Sequence, residues 1–326
     1  MTGNGMRPLG RAGIEVGPMS YGAAALGNLG GPISDETAER IVDAAWEGGI
    51  RYFDVAPHYG LGLAEERLGR ALARRPRDEF VVSTKVGRLL VENPRGPRPD
   101  DEGGFDVVSP LVRRPDYSRD GVVRSLEQSL DRMGLDRIDI VLVHDPDDHY
   151  EEALAGAFPA LEELRAEGVI RSYGAGMNQS AMLADFVRQT ELDVVMCAGR
   201  YTLLDQRAAE DLLAAAVARE VSVVAAAVFN SGVLASDPPR AGSSYDYGAV
   251  PDEILDRARA IAAVCHEHGV LLPAAALQFP RGHTAVSTVC VGARSPEQLT
   301  ANLRQSAVPL PSGLWAELRE RGLVAG

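Results

Sequence analysis

Four side chains of this 326-residue chain are of types that together could move a proton at an oxygen: Asp54, Tyr59, Lys85 and His144. They fall in three short segments, "RYFDVAPHYG" (51–60), "STK" (83–85) and "LVHDPD" (142–147). A free phenol titrates near ~10 and is a poor acid at neutral pH. A neighbouring ammonium lowers that value by favouring phenolate, and a carboxylate beside the ammonium keeps it charged and aimed. A tyrosine so placed exchanges protons with a carbonyl or hydroxyl oxygen, and a histidine can add a second hydrogen bond to that oxygen. No activated nucleophile and no metal-ligand spacing accompanies the four, so carbonyl–alcohol chemistry without a metal is the expectation. Taken singly, each has a plainer reading: a turn aspartate, a solvated lysine, a loop histidine, a rim tyrosine. What decides is whether the fold brings them together.

The elements that would position them alternate. Short β-rich apolar runs are followed by loops and then by stretches of helical period. The strands read as "MSYGA", "RYFDVA", "EFVVSTK", "IDIVLVH", "IRSYGAG", "LDVVMCAG", "VSVVAAAV" and "AVSTVCVG". Helices separate them, the first capped by Ser34 or Asp35 and stopped at Gly48-Gly49. An N-terminal hairpin, "RPLGRAGIEVGP", precedes the series, and two helices, "SPEQLTANLRQS" and "SGLWAELRERG", close it. Two stretches, 87–118 and 235–250, read as loops. Eight βα units predict a closed (β/α)8 TIM barrel, as a single domain over residues 1–326, rather than an open doubly wound sheet. In such a barrel chemistry gathers at the carboxyl ends of the strands, where Asp54, Lys85 and His144 stand. One lure points to a dinucleotide-binding sheet instead: "GLGLAE", from Gly60, lies between a strand and a helix. Its third glycine is missing and it follows the second strand, so it is weak.

Composition narrows the partners. A formal charge of −13 argues against nucleic acid and anionic membrane, which call for basic surfaces. Cys197, Cys265 and Cys290 are odd in number and far apart, as befits buried free thiols in a reducing cytoplasm. The first residues show no leader pattern, and no apolar run approaches membrane-spanning length. The expectation is a cytoplasmic monomer or small homo-oligomer that takes a small molecule.

"DVAPHYG", "STKVG" and "LVHDPD", in this order and spacing, resemble the aldo-keto reductase superfamily from about Arg7 to the C-terminus. The resemblance implies a tetrad of Asp54, Tyr59, Lys85 and His144, with Tyr59 the acid/base, Lys85 and Asp54 tuning it, and His144 orienting substrate. His58 takes no role from it, and Asp145 and His149 read as loop residues. It also implies a nicotinamide cofactor across the barrel mouth. "GAGMN" would place Asn178 on the carboxamide. "VFNSGVLA" would cover the pyrophosphate with Phe229, Asn230, Ser231, Gly232 and Leu234. "VGARSPEQLTAN" would face the adenosine with Gly292, Arg294, Gln298 and Asn302. Gly22 and Asp54 complete the expected cofactor set. NADP-specific members usually carry Lys-Ser where Gly292 and Ala293 stand and Arg in place of Gln298, so NAD is the expected cofactor, with NADP used less well. The tyrosine that usually stacks under the nicotinamide is replaced by Ala226, leaving Phe229 and Tyr201 as candidates.

Within the superfamily, "PHYGLGLAEERLGRAL", "AGRYTLLDQ" and "VFNSGVLA" are most similar to bacterial aldose 1-dehydrogenases of the L-fucose or D-threo-aldose type. That implies oxidation of a cyclic sugar at its C1 hydroxyl to the lactone, with Asn28, Tyr59, Tyr117, His144, Met177 and Arg200 as substrate contacts. Pyridoxal- and L-galactose-oxidising branches, and general carbonyl reduction, are similar enough to stay open. So does a nucleotide-binding sensor or subunit without catalysis, as in the potassium-channel β subunits.

Overall fold

The computed structural model describes residues 5–246 and 248–325. The first four residues of the N-terminal segment and Tyr247, within the 235–250 loop, lie outside them. Eight parallel strands close on themselves: β1 (Met19–Gly22), β2 (Tyr52–Asp54), β3 (Val81–Val86), β4 (Ile140–His144), β5 (Ser172–Met177), β6 (Val194–Ala198), β7 (Ser222–Ala226) and β8 (Val286–Val291). β8 pairs with β1, which leaves this eight-stranded sheet without an edge. The expected barrel is the observed one. The strands read as near-continuous apolar runs because both faces are covered, one by the barrel interior and one by helices.

Among those helices, α1 (Asp35–Glu47) is capped by Ser34, whose Oγ accepts the Thr37 N–H. α2 (Leu63–Leu72) follows β2 and α3 (Arg119–Met133) precedes β4. The expected N-terminal hairpin forms from Arg7–Leu9 and Ile14–Val16. Its Leu9, Ile14 and Val16 pack onto Tyr52, Ile140, Leu142 and Val194 in the barrel interior. Each such buried apolar side chain contributes about 2 kcal/mol. The hairpin therefore seals one end of the barrel, and access is left to the carboxyl ends of the strands.

Period-two alternation carries the interior register up to that mouth. Tyr52 leads to Asp54, Ser83 to Lys85, and Ile140 and Leu142 to His144. Three polar residues thus continue rows that lower down are filled by core side chains. Strand β2 ends at Asp54, earlier than the apolar run suggested, so the carboxylate caps the strand instead of interrupting it.

The stretch 87–118 is a structured cover. Arg88–Glu92 pairs antiparallel with Leu111–Pro115, and Arg98–Pro99 with Val108–Ser109. Proline and arginine hide the alternation there, but Leu89 and Leu90 are buried and anchor the ribbon. In the same way the 235–250 stretch carries a short ribbon, Ser244–Tyr245 against Gly248–Ala249. The glycines of "GLGLAE" serve packing. A Cβ on Gly60 would lie 2.5 Å from the Gly27 carbonyl oxygen, and Gly62, at φ 96°, starts α2.

Candidate active site

Lys85 sits at the centre of the mouth with its side chain 2% exposed. Its ammonium donates to Asp54 Oδ2 at 2.7 Å, to the Tyr59 hydroxyl at 3.0 Å and to the Val55 carbonyl at 3.1 Å. The other Asp54 oxygen accepts from Ser83 Oγ at 2.7 Å, and that hydroxyl lies 3.0 Å from the Tyr52 hydroxyl. Behind β3, Thr84 donates to the fully buried Glu65, which also accepts from Arg132 Nε at 2.7 Å. The residue beside Lys85 is thereby tied to both α2 and α3.

Tyr59 arrives on the turn after β2, its N–H donating to the Ala56 carbonyl. The Gly27 backbone abuts it so closely that a Cβ at Gly27 would stand 2.6 Å from the Tyr59 carbonyl carbon. The His144 ring meets the Tyr59 ring edge-on at 5.8 Å. The tyrosine, the lysine, the aspartate and the histidine are one cluster.

Burial dominates its electrostatics. It pushes the Tyr59 phenol above the ordinary phenolic range, and Lys85 opposes that push without cancelling it. The sequence suggested a lowered value from the ammonium; desolvation outweighs the charge, so the phenol holds its proton. Burial works against the Lys85 charge too, but Asp54 and Tyr59 prevail and hold its pKa above the usual lysine value. Burial, with Lys85 next, drives His144 well below the usual histidine range, so the imidazole is neutral. His58 falls to about 3, through burial and then Arg113 and Arg88. Such a cluster presents a hydroxyl proton and a neutral imidazole to an oxygen placed between them.

Two cavities flank the cluster and share Asn178. The first, of about 530 Å³, runs between the ends of β1, β7 and β8 and has Asp54 and Tyr59 in its wall. Of the expected cofactor set, Gly22, Asn178, Phe229, Asn230, Ser231 and Gly232 line it, as do Gly292, Arg294 and Gln298. Leu234 and Asn302 do not. Leu234 is fully buried in the core that packs around the helix Asp252–Glu267, and Asn302 lies within the helix Pro296–Ser306, beyond the cavity wall. Ala226 lines the cavity where an aromatic was missed. Phe229 stands beside it, whereas Tyr201 stacks with Phe279 at 5.4 Å and is not in the wall.

This cavity fits a dinucleotide. Asn230 Oδ1 is buried without a partner while its amide nitrogen donates to the Gly199 carbonyl. Asn230, Ser231 and Gly232 are consecutive residues at positive φ, and the tight turn they form, with the Asn230 and Gly232 N–H groups donating to the Ala227 and Phe229 carbonyls, lines this cavity. The helix Pro296–Ser306, capped by Ser295, begins at the far end beside Arg294. Arg294 and Gln298 are mutually fixed, the Arg294 N–H donating to Gln298 Oε1 at 2.8 Å.

The second cavity, of about 560 Å³, is walled by the 87–118 ribbon and the loop after β4. Tyr117 lines it, yet its hydroxyl is already committed to the carbonyls of His144 and Asp145, at 3.0 and 3.2 Å. Asn28, Met177 and Arg200, also expected as substrate contacts, line neither cavity. Asn28 is bound up in its own loop, donating to the Asp106 carbonyl and accepting from Ile33 and Arg67. Met177 is buried in the core between strands and helices. Arg200 pairs with Asp246 and Asp205 and lines neither cavity. Conversely, His58, Arg88 and Asp145 line the second cavity and carried no role in the sequence. The His58 ring lies 5.5 Å from that of His144. Adjacency to Tyr59 and His144 was the one signal that marked His58 and Asp145; Arg88 had none, because its stretch read as loop.

Comparison with known proteins agrees with this geometry. The model of the aldo/keto reductase family matches residues 18–321. The chain is 50% identical to the D-threo-aldose 1-dehydrogenase of a Pseudomonas species, over 96% of both chains. It is 40% identical to the pyridoxal 4-dehydrogenase of Microbacterium luteolum, over 98% of both. Among solved structures, the holo form of the aldo-keto reductase AKR11C1 from Bacillus halodurans superposes with a TM-score of 0.76 at 28% identity, covering 98% of this chain and 96% of that one. The chain belongs to the aldo/keto reductase family and is a nicotinamide-dependent oxidoreductase.

Proposed function

We propose that the protein oxidises the C1 hydroxyl of an unphosphorylated aldose of the D-threo type, such as L-fucose, to the lactone, using NAD in preference to NADP. The observation that carries this reading is the Lys85 ammonium bridging Asp54 and the Tyr59 hydroxyl in the wall of a nucleotide-sized cleft. The similarity to a D-threo-aldose 1-dehydrogenase supplies the substrate class. Bound nicotinamide dinucleotide supplies the hydride acceptor. Tyr59 accepts the hydroxyl proton, Lys85 stabilises the phenolate that must exist to do so, and Asp54 keeps Lys85 charged and directed. Neutral His144 hydrogen-bonds the reacting oxygen and orients it. Asn178, at the junction of the cavities, would hold the carboxamide, the Asn230–Gly232 turn the pyrophosphate, and Arg294 with Gln298 the adenosine. The absence of lysine at position 292 and of arginine at 298 favours NAD over NADP. Its three free thiols, all buried, suit a cytoplasmic setting.

Oxidation of pyridoxal is the second reading, favoured by the 40% identical relative. One assay separates them. Purified protein with NAD should generate reduced nicotinamide with L-fucose or D-arabinose at a higher kcat/KM than with pyridoxal. Tyr59→Phe should lower kcat by about a thousandfold while leaving the dissociation constant of NAD within about twofold. Equal turnover by parent and Tyr59→Phe would refute the acid/base role, and a preference for pyridoxal would replace the substrate.

A further inference from the structure

Asp145, the residue after His144, is held in place from several directions. Its backbone sits at φ 39°, a left-handed conformation that among non-glycine residues is tolerated best by Asp and Asn. Its N–H donates to the Gly176 carbonyl, and its own carbonyl accepts from the Tyr117 hydroxyl. The Tyr117 ring is covered in turn by His149 at 5.1 Å. The result is a carboxylate in the wall of the second cavity, with Oδ2 accepting from Arg88 Nη2 at 3.0 Å. That oxygen stands 3.5 Å from His144 Nε2. The gap is too long for a hydrogen bond between them, so each keeps capacity for a ligand. Two groups this close can each take one oxygen of a vicinal diol.

Resting on the reading of His144 as the group that orients the reacting oxygen, we propose that Asp145 is a specificity-determining residue. It accepts the hydroxyl on the carbon next to the reacting one, and Arg88 is the positioning residue that aims it. The ligand class is a neutral polyol. Asp147 and Asp148 add carboxylates to the same wall, where Glu102 is paired with Arg98, while the wall's two arginines are engaged, Arg88 by Asp145 and Arg113 by Asp100. A phosphorylated sugar would meet uncompensated negative charge there.

The test uses D-arabinose, which carries the D-threo arrangement at C2 and C3, its 2-deoxy counterpart 2-deoxy-D-ribose, and D-arabinose 5-phosphate, each with NAD. A hydrogen bond to a charged acceptor corresponds to roughly a 10- to 100-fold preference. The parent enzyme should therefore favour D-arabinose over the 2-deoxy sugar in kcat/KM by about 30-fold, and over the 5-phosphate by at least as much. Asp145→Gly, which suits the left-handed backbone, should bring the first ratio to within about threefold. Asp145→Asn, equally compatible with that backbone, should give an intermediate ratio. Arg88→Met should lower the ratio and Arg88→Lys should restore part of it. Thermal unfolding of each variant, followed by circular dichroism, checks that the fold is kept. A parent ratio under threefold, a ratio unchanged in Asp145→Gly, or good turnover of the 5-phosphate would overturn the proposal while leaving aldose oxidation standing. A parent enzyme that oxidises no aldose would remove both together.

Discussion

The Lys85 ammonium lies 3.0 Å from the Tyr59 hydroxyl and 2.7 Å from the Asp54 carboxylate, with both charged side chains almost wholly buried. Removing one partner of such a pair strands the other charge in a dry site. Lys85→Met is therefore expected to destabilise the fold by about 3–5 kcal/mol, measured by urea unfolding. The double variant Lys85→Met/Asp54→Asn should recover most of that loss. Its turnover should nevertheless stay down by at least about a hundredfold, because Tyr59 has lost its cation. Recovery of activity along with stability would show that the lysine only supports the fold.

The direction of the Tyr59 shift sets how the two directions of reaction respond to pH. Burial raises the pKa of the phenol above its ordinary value, so the protonated form persists through neutral and moderately alkaline solution. Carbonyl reduction draws on that proton and should be flat between about pH 6 and 9, where the form it needs is already complete. Alcohol oxidation needs the phenolate, whose fraction grows tenfold per pH unit below the pKa, so kcat for oxidation should rise towards that slope. The two histidines beside Tyr59 add no inflection near neutrality, since burial holds His144 neutral and pushes His58 down to about 3. Rate profiles in both directions check this, and a bell centred near pH 6.5 would assign the acid/base role to a histidine.

Much of this arrangement was legible in the chain. Alternation gave the barrel, and its period of two placed Asp54, Lys85 and His144 on inward-facing rows that end at one mouth. The sign of the Tyr59 shift was not legible, because nearest-charge reasoning omits the desolvation that a closed barrel imposes. The second cavity was missed for a related reason. Its wall is the 87–118 ribbon, whose prolines and arginines mask strand alternation and whose contacts join residues remote in sequence, such as Arg88 with Asp145. That Asn28 and Met177 point away from both cavities was not legible either, because position in a loop or at a strand end does not reveal which way a side chain points.

Cofactor preference has its own handle at the start of Pro296–Ser306. Gln298 accepts from the Arg294 N–H, and the Arg294 guanidinium donates to the Gly31 carbonyl at 3.2 Å. The exposed Gln298 can therefore be exchanged for a cation without opening the core. Gln298→Arg should tighten NADP binding by about tenfold, roughly 1.4 kcal/mol, and leave NAD within about twofold. Titration of each dinucleotide into the protein measures the difference. An unchanged NADP constant would mean that the ribose end of the cofactor lies elsewhere.

The position of Tyr59 depends on a contact with no side chain in it. Gly27, in the turn after β1, and Gly60, just past Tyr59, meet backbone to backbone; a Cβ on Gly27 would come within 2.6–2.8 Å of Tyr59 and Gly60 main-chain atoms. Those atoms belong to a rigid turn, so they cannot give way as the tip of a flexible side chain would. Gly27→Ala is expected to cost about 1–3 kcal/mol through overpacking and to shift the turn that carries the phenol. Because a displacement of about 1 Å at a reacting group can cost a hundredfold, kcat should fall at least tenfold while binding of the dinucleotide is largely kept. Gly282→Ala, where an added Cβ meets nothing within 4 Å, is the matched control and should leave both stability and rate unchanged. If Gly27→Ala lowered the unfolding temperature but left kcat intact, the glycine contact would be a packing feature alone, and the placement of Tyr59 would have to come from its bond to Lys85.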